Sequence, residues 1–274
     1  MLNKIVMTLL LFTLTSGLHA APRAEAWSHW NQSQATRSFE IDHEPWQQFL
    51  DRYLVVSGDG INRVKYAAVT KHDREMLGNY LKYLQRLPVR QMTRDQQLAY
   101  WINLYNAGTV SVILDHYPVA SILDIDISPG LFSNGPWGKK LFTIDAQAVS
   151  LDDIEHRILR PLWRDPRIHY AVNCASLGCP NLQTTAFTEI NAEELLNHAA
   201  DIFINHQRGV RIDRDRLVVS SIYHWFKVDF GKNDAAIIEH LRQYAKAPLL
   251  KQLQNIAQID DHDYDWSLNR DESR

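Results

Sequence analysis

From Glu44 onward the apolar residues recur three and four apart. Trp46, Phe49, Leu50 and Tyr53 make one stripe before Ser57-Gly58-Asp59-Gly60 interrupts it, the spacing of an amphipathic helix closed by a turn. A second stripe, Met76, Leu77, Tyr80, Leu81 and Leu84, predicts a helix over roughly 72–87 that Pro88 stops. The third helix begins at Thr93, whose hydroxyl can cap it while Gln96 reaches back as a capping box, and it runs to about Asp115, before Tyr117-Pro118. Leu98, Trp101, Ile102, Tyr105, Thr109 and Val112 make it apolar on more than one side, so it is predicted to be central. Asn103 and Asn106 lie one turn apart on it. An amide buried without partners costs about 1–3 kcal/mol, so the two either brace a neighbouring loop through its backbone or line a site.

Residues 122–138 carry Ser128-Pro129-Gly130 and Asn134-Gly135-Pro136 and read as a long surface loop, a candidate lid. Hairpins are predicted over 140–150 and over 210–219, the latter turning at Arg214-Asp215. Between them, Ser150-Leu151-Asp152-Asp153 reads as the cap of a short helix through Ile154 and Ile158 that Pro161 terminates. Residues 168–174 read as a buried strand, and further helices start near Asn191, Ser220 and Asn233. Early helices followed by hairpins, without alternating β-α-β units, predict an α+β fold with helices packed on a small antiparallel sheet.

The first twenty residues have Lys4, then an apolar run over 5–14, then small residues up to Ala20-Ala21. That is the pattern of a secretory signal peptide cleaved after Ala20. Its apolar run is too short for a bilayer of about 30 Å. A periplasmic or secreted chain without a membrane span is expected: signal peptide 1–20, polar tether 21–43 and one globular domain over 44–270. Composition, 45% hydrophobic and 22% charged, is that of an ordinary globular protein. With 29 Lys+Arg against 32 Asp+Glu and no basic stripe, nucleic acid is excluded as a partner. A phosphate loop, a dinucleotide fingerprint and a Gly-x-Ser-x-Gly elbow are all missing from the sequence, so no cofactor is assigned.

The chemistry concentrates in the stretch from Asp165 to Pro180, which holds His169, Asn173 and both cysteines, Cys174 and Cys179. A thiol becomes a nucleophile beside a base or positive charge. Cys174 is the candidate nucleophile, His156 or His169 the candidate base and Asn103 the candidate orienting group, with Asn106, Glu155, Arg160 and Arg167 as candidate binding residues. On a strand His169 and Cys174 face opposite sides, which disfavours that pairing. Plainer roles stand beside these: Arg167 as a partner of Asp165, Arg160 as a helix-end charge, and the two cysteines as a local disulfide contributing about 2 kcal/mol. The Cys174–Cys179 gap lies at the edge of zinc spacing with no second close pair, so no metal is assigned. The acidic run 260–265 lacks the Gly and terminal Glu of a calcium loop.

Several motifs in one order carry a family likeness. Leu98-Ala99-Tyr100-Trp101-Ile102-Asn103-Leu104-Tyr105-Asn106-Ala107, Leu151-Asp152-Asp153-Ile154-Glu155-His156 with Ile158-Leu159-Arg160, Asp165 through Pro180, and Tyr264-Asp265-Trp266-Ser267-Leu268-Asn269 together resemble the Domain of Unknown Function 547 family over residues 46–269. The resemblance implies no settled activity, so no role transfers to any residue. Plant members place a long helical segment ahead of the domain where this chain has about twenty residues, and Phe226 follows Trp225 where the family often has Tyr. Papain-like and transglutaminase-like enzymes also pack a central helix on a small antiparallel sheet, but they put the cysteine on that helix, ahead of the histidine. Fold alone does not establish function. Two readings follow: a cysteine-dependent hydrolase or acyl transferase, or a non-catalytic envelope domain that binds a small molecule, peptide or protein and carries a Cys174–Cys179 disulfide.

Overall fold

A computed structural model describes residues 22–35, 39–130 and 134–272, so the expected signal peptide over 1–20 lies outside the described residues. The early helices stand where the apolar spacing puts them. Helix α1 (Glu44–Tyr53) holds Pro45 in its first turn and buries Trp46, Phe49, Leu50 and Tyr53. Proline is tolerated there because first-turn N–H groups have no helical partner. Strands β1 (Leu54–Val56) and β2 (Asn62–Val64) form a hairpin around the Ser57–Gly60 turn. Helices α2 (Lys71–Leu84) and α3 (Arg94–His116) are capped by Thr70 and Thr93, whose hydroxyls accept from the N–H groups of Asp73 and Gln96. The Gln96 amide donates to the Phe39 carbonyl at 2.5 Å and to Glu189 at 3.1 Å, so this side chain ties α3 to neighbouring loops. As expected, α3 is central: it is buried continuously from Gln96 to Val110.

Strands β3 (Lys140–Ile144) and β4 (Gln147–Ser150) form the first predicted hairpin. After it the chain departs from expectation. Pro161 does not end the helix: a π-helical segment, Asp153–Leu159, runs directly into α4 (Arg160–Trp163). Proline offers no N–H and its ring collides with the carbonyl four residues back, and a widened π turn makes room for it. Around it, the carbonyls of His156 and Arg157 accept from the N–H groups of Glu25 at 3.2 Å and Trp27 at 2.9 Å. The polar tether expected over 21–43 is therefore corrected for residues 22–35, which dock on the body. Trp30 is 1% exposed and meets Trp101 edge to face at 5.0 Å.

The strand expected over 168–174 is also corrected. Residues Ile168–Ala171 form a short helix, α5, followed by extended chain. Asp165-Pro166 begins it as a cap and a proline would: the Asp165 carboxylate accepts from the Arg167 N–H at 2.9 Å. Helix α6 (Ala192–Ile204), strands β5 (Val210–Asp213) and β6 (Arg216–Ser220), and helices α7 (Ser221–Trp225), α8 (Asp234–Tyr244) and α9 (Leu249–Leu253) follow. Strand β7 (Asp261–Asp263) then adds to β6 in parallel, the one departure from antiparallel pairing among the described strands. The fold is α+β. Among the described residues no helix is long and apolar enough to cross a membrane.

Two apolar clusters form, one around α3 and one around α6, β5, β6 and α8. Helix α5 sits at their seam, with Ile168 and Ala171 in the first cluster and Tyr170 in the second. What holds the seam is a pair of amides on α3. Asn106 donates to the Ala171 carbonyl at 2.9 Å and accepts from the Asn173 N–H at 2.8 Å. Asn103 makes the same two bonds with one residue, donating to the Phe187 carbonyl at 2.7 Å and accepting from its N–H at 3.0 Å. Each side chain acts as a strand edge for a loop that has none.

Asn106→Ala leaves a donor and an acceptor unpaired in a buried place, so urea unfolding should show a loss of about 2–4 kcal/mol. Asn106→Asp, which lacks the donor, should not restore it. A loss below about 0.5 kcal/mol, the range of an inconsequential surface change, would mean the strap does not hold the loop.

Candidate functional site

The chain leaving α5 turns sharply at Ala175, whose φ of 60° lies in the left-handed region. Asn173 fixes that turn: its Oδ1 accepts from the Ala175 N–H at 2.9 Å and its Nδ2 donates to the Pro180 carbonyl at 2.7 Å. The C-terminal segment then runs along the loop, with Leu177, Gly178 and Asn269 N–H groups donating to the carbonyls of Ser267, Asp265 and Ala175 at 2.8, 2.8 and 2.9 Å. The approach is close enough to require glycine: a Cβ on Gly178 would stand 2.8 Å from the Asp265 nitrogen. This strap delivers Tyr264 to the cysteines.

Cys174 and Cys179 are free thiols with their sulfurs 2.7 Å apart. The Cys174 sulfur also meets the Ser176 hydroxyl at 3.1 Å and the Tyr264 hydroxyl at 3.0 Å, and the Cys174 N–H donates to the Cys179 sulfur at 2.9 Å. Cys174 is half-buried, whereas Cys179 is only 4% exposed. Burial pushes the Cys174 thiol up, but hydrogen bonds from Cys179, Ser176 and Tyr264 outweigh it and the net displacement is downward. Burial and then the adjoining Cys174 push Cys179 well up. The pair is therefore asymmetric, with the thiolate favoured on the half-buried sulfur and the proton on the sealed one. Beside it, Trp225 and Trp266 flank the Tyr264 ring at 4.9 and 4.7 Å. A groove of about 850 Å³ opens past Leu177, Gly178, Arg208, Tyr264 and Trp266.

The two candidate imidazoles belong to a different centre, and neither comes within hydrogen-bond reach of the Cys174 sulfur. His169 Nε2 donates to Asp229 Oδ2 at 2.7 Å, its Nδ1 faces Glu155 at 3.6 Å, and its ring stacks on Phe226 at 4.1 Å. Arg160 donates to Asp229 at 2.6 Å, to the Pro22 carbonyl at 2.7 Å and to His156 Nδ1 at 3.0 Å. Tyr105 on α3 donates to Glu155 at 3.1 Å. Glu155, His156, Arg160 and His169 thus gather as one network, and Asp229 and Tyr105 complete it. Sequence spacing gave no sign of those last two. Burial opposes the Glu155 carboxylate, yet His156, His169 and Arg160 hold it at about 2. Burial lowers His156 to about 4, while burial and the charges of Glu155 and Asp153 raise Asp152 to about 6.

The remaining candidates have structural partners. Arg167 forks onto Asp165 and Glu193, each at 2.6 Å, and Asn103 and Asn106 hold backbone. Among the described residues no group of three or more His, Cys, Asp or Glu is arranged to hold a metal ion.

Residues 89–204 match the sequence profile of a family described as "Protein of unknown function, DUF547". This segment is similar to DUF547. The DUF547 match runs from the turn before α3 to the end of α6, so it holds both asparagine straps, the Glu155–Arg160 segment and both cysteines. Asp229 and Tyr264 lie beyond it. No curated protein and no solved structure matches the chain.

The buried imidazoles set a pH dependence. His43, against the Tyr80 hydroxyl at 2.7 Å, His156, and His240, against the Tyr170 hydroxyl at 2.9 Å, are each lowered by burial to about 4. In the unfolded chain they take up protons near pH 6.5, so the unfolded state binds protons first and stability falls from about pH 6.5 down to about 4. Glu155 and Asp229, held at about 2, withdraw their contribution only at still lower pH. Asp152 opposes them, reducing stability as pH rises from about 4 to about 6. The three histidines outnumber it. Calorimetry should find Tm at least about 5 °C lower at pH 5 than at pH 7, and His240→Gln should flatten that slope. A Tm independent of pH over this range would contradict the assignment.

Proposed function

We propose that the chain performs thiol–disulfide exchange, with Cys174 as the attacking sulfur and Cys179 as its resolving partner. The observation that carries this reading is the asymmetric pair: two free sulfurs 2.7 Å apart, the accessible one lowered and the sealed one raised. Thiolate character and access together decide which sulfur attacks. In the forward step the Cys174 thiolate attacks one sulfur of a disulfide, making a mixed disulfide and expelling one substrate thiolate. Cys179 then gives up its proton to solvent and attacks the Cys174 sulfur, releasing the second substrate thiolate. The substrate gains two electrons, and the protein is left with a Cys174–Cys179 disulfide. The reverse sequence oxidises a substrate dithiol. On the export reading of residues 1–20 this happens in an oxidising compartment, where such pairs persist in either state.

A cysteine-dependent hydrolase or acyl transferase would use the same nucleophile. It lacks an imidazole at the sulfur, because His156 and His169 are held by carboxylates and by Arg160. It also departs from the papain-like arrangement, since the thiols lie on a loop after α5 and not on the central helix. The non-catalytic reading treats the same two sulfurs as a fixed disulfide.

Reacting the reduced protein with 5,5′-dithiobis(2-nitrobenzoate) separates the three. Exchange predicts that wild type releases two equivalents of thiolate and ends without an adduct, while Cys179→Ser releases one and keeps the adduct by mass. Cys174→Ser should react far more slowly, and Tyr264→Phe should shift the alkylation inflection of Cys174 upward by about half a unit or more. A wild-type protein that retains the adduct, or a pair that withstands reduction while folded, would refute exchange.

A further inference from the structure

The groove beside the cysteines has one wall that the exchange chemistry does not require. Arg208 enters it from the turn between α6 and β5. Its Nη1 donates to the Leu177 carbonyl at 2.9 Å and its Nη2 to Asn181 Oδ1 at 2.6 Å, so the guanidinium is held against the loop that carries the thiols. Its Nε is buried without a partner, and its Cζ lies 5.6 Å from the Phe203 ring centre. Among the described residues no carboxylate pairs with it. Of the groups whose charge would reach it, Cys179 and Tyr264 come first, and Asp59, the carboxylate among them, is committed to Arg63 through bonds of 2.8 and 2.6 Å. Burial pulls Arg208 down to about 10. A half-buried cation without a counter-charge is destabilising by itself, and an anion brought beside it would relieve that.

The other charges on the groove are already answered or lie in water. Arg211 is paired with Asp263 at 2.5 Å. Asp124 accepts from the Ser121 N–H and Asp265 from the Ser267 N–H, and Asp124, Asp263 and Asp265 are all exposed, where solvent and salt screen them. Arg208 works in the lower dielectric next to Leu177 and Phe203, so its field dominates inside the groove although the acids outnumber it at the rim. The volume, about 850 Å³, suits a small molecule and not a folded partner.

We infer that the groove takes a small organic disulfide or thiol bearing a carboxylate, with Arg208 as the residue that selects for the negative charge. The carboxylate lies on Arg208 and the carbon chain along Tyr264 and Trp266; Cys174 is not itself part of the groove's lining, and the sulfur reaches it past the Tyr264 hydroxyl, which touches the Cys174 sulfur at 3.0 Å. This rests on the exchange reading for the sulfur, while the carboxylate contact stands apart from it.

Three small disulfides of similar size test the charge: 3,3′-dithiodipropionate with two carboxylates, bis(2-hydroxyethyl) disulfide with none, and cystamine with two ammonium groups. Each rate with the reduced protein is divided by its rate with a free thiolate in the same buffer. The dicarboxylate should exceed cystamine about tenfold or more, a ratio that falls with salt. It should drop toward one in Arg208→Gln and be partly kept in Arg208→Lys. Equal normalised rates in wild type, or a ratio untouched by either variant, would overturn the assignment. Suberate, the sulfur-free analogue of the dicarboxylate, separates the two ideas through the tryptophan fluorescence of the wild-type protein. Suberate binding that Arg208→Gln weakens, with no exchange toward any disulfide, refutes the exchange reading and supports the groove. Exchange without charge preference and without suberate binding refutes the groove alone.

Discussion

Everything around the thiols depends on α3 presenting two amides to chain that has no strand of its own. Residues 171–173 and 186–187 are buried, and the Ala171 and Phe187 carbonyls and the Asn173 and Phe187 N–H groups would otherwise go unpaired in a place water does not reach. Asn106 and Asn103 answer them from a helix buried on nearly every side. The loop that carries Cys174 is thereby fixed to the buried central helix. Its sulfur is placed by a helix through one side chain, without any sheet.

Two polar centres share this part of the molecule and resolve burial differently. In one, Glu155, His156, Arg160, His169 and Asp229 bring carboxylates, imidazoles and a guanidinium together, so that each carboxylate has a partner. Such a network specifies one arrangement of the π-helical segment, α5 and the chain after α7, because any slippage would strand a charge. In the other centre the thiols face hydroxyls and another sulfur, a softer set of donors that stabilises a thiolate without opposing it with a full positive charge. Tyr105 lies between them: after burial, the charges of Glu155 and then of both cysteines raise its hydroxyl.

Local pattern carried the sequence reading where structure is local. The stripes of α1 and α2, the Thr93 cap and the two hairpins were legible because period and turn residues decide them. The α5 helix is also encoded, in Asp165-Pro166, but the β-branched Ile168 and Val172 favour a strand locally and mask it. Pro161 was a fair stop signal on local grounds. What overrode it was a donor segment more than a hundred residues earlier, which no periodicity can announce. The same holds for the site. Cys174 and Cys179 are neighbours in the chain and could be paired by eye, whereas Tyr264 arrives from ninety residues away. The imidazoles were misdirected because Glu155 and Asp229 compete for them more strongly than a thiol can.

The strap that brings Tyr264 to the cysteine loop also imposes an order in time. A ribosome makes residues 174 and 179 long before residue 264, so the segment that packs on Gly178 emerges after them. Until then Cys174 lacks one of the hydroxyls that lower its thiol, and the loop lacks the backbone partners that Leu177 and Gly178 need. The sulfur therefore acquires its finished surroundings only after ninety further residues have been made, so a polypeptide that stops short of Tyr264 presents a thiol without that hydroxyl.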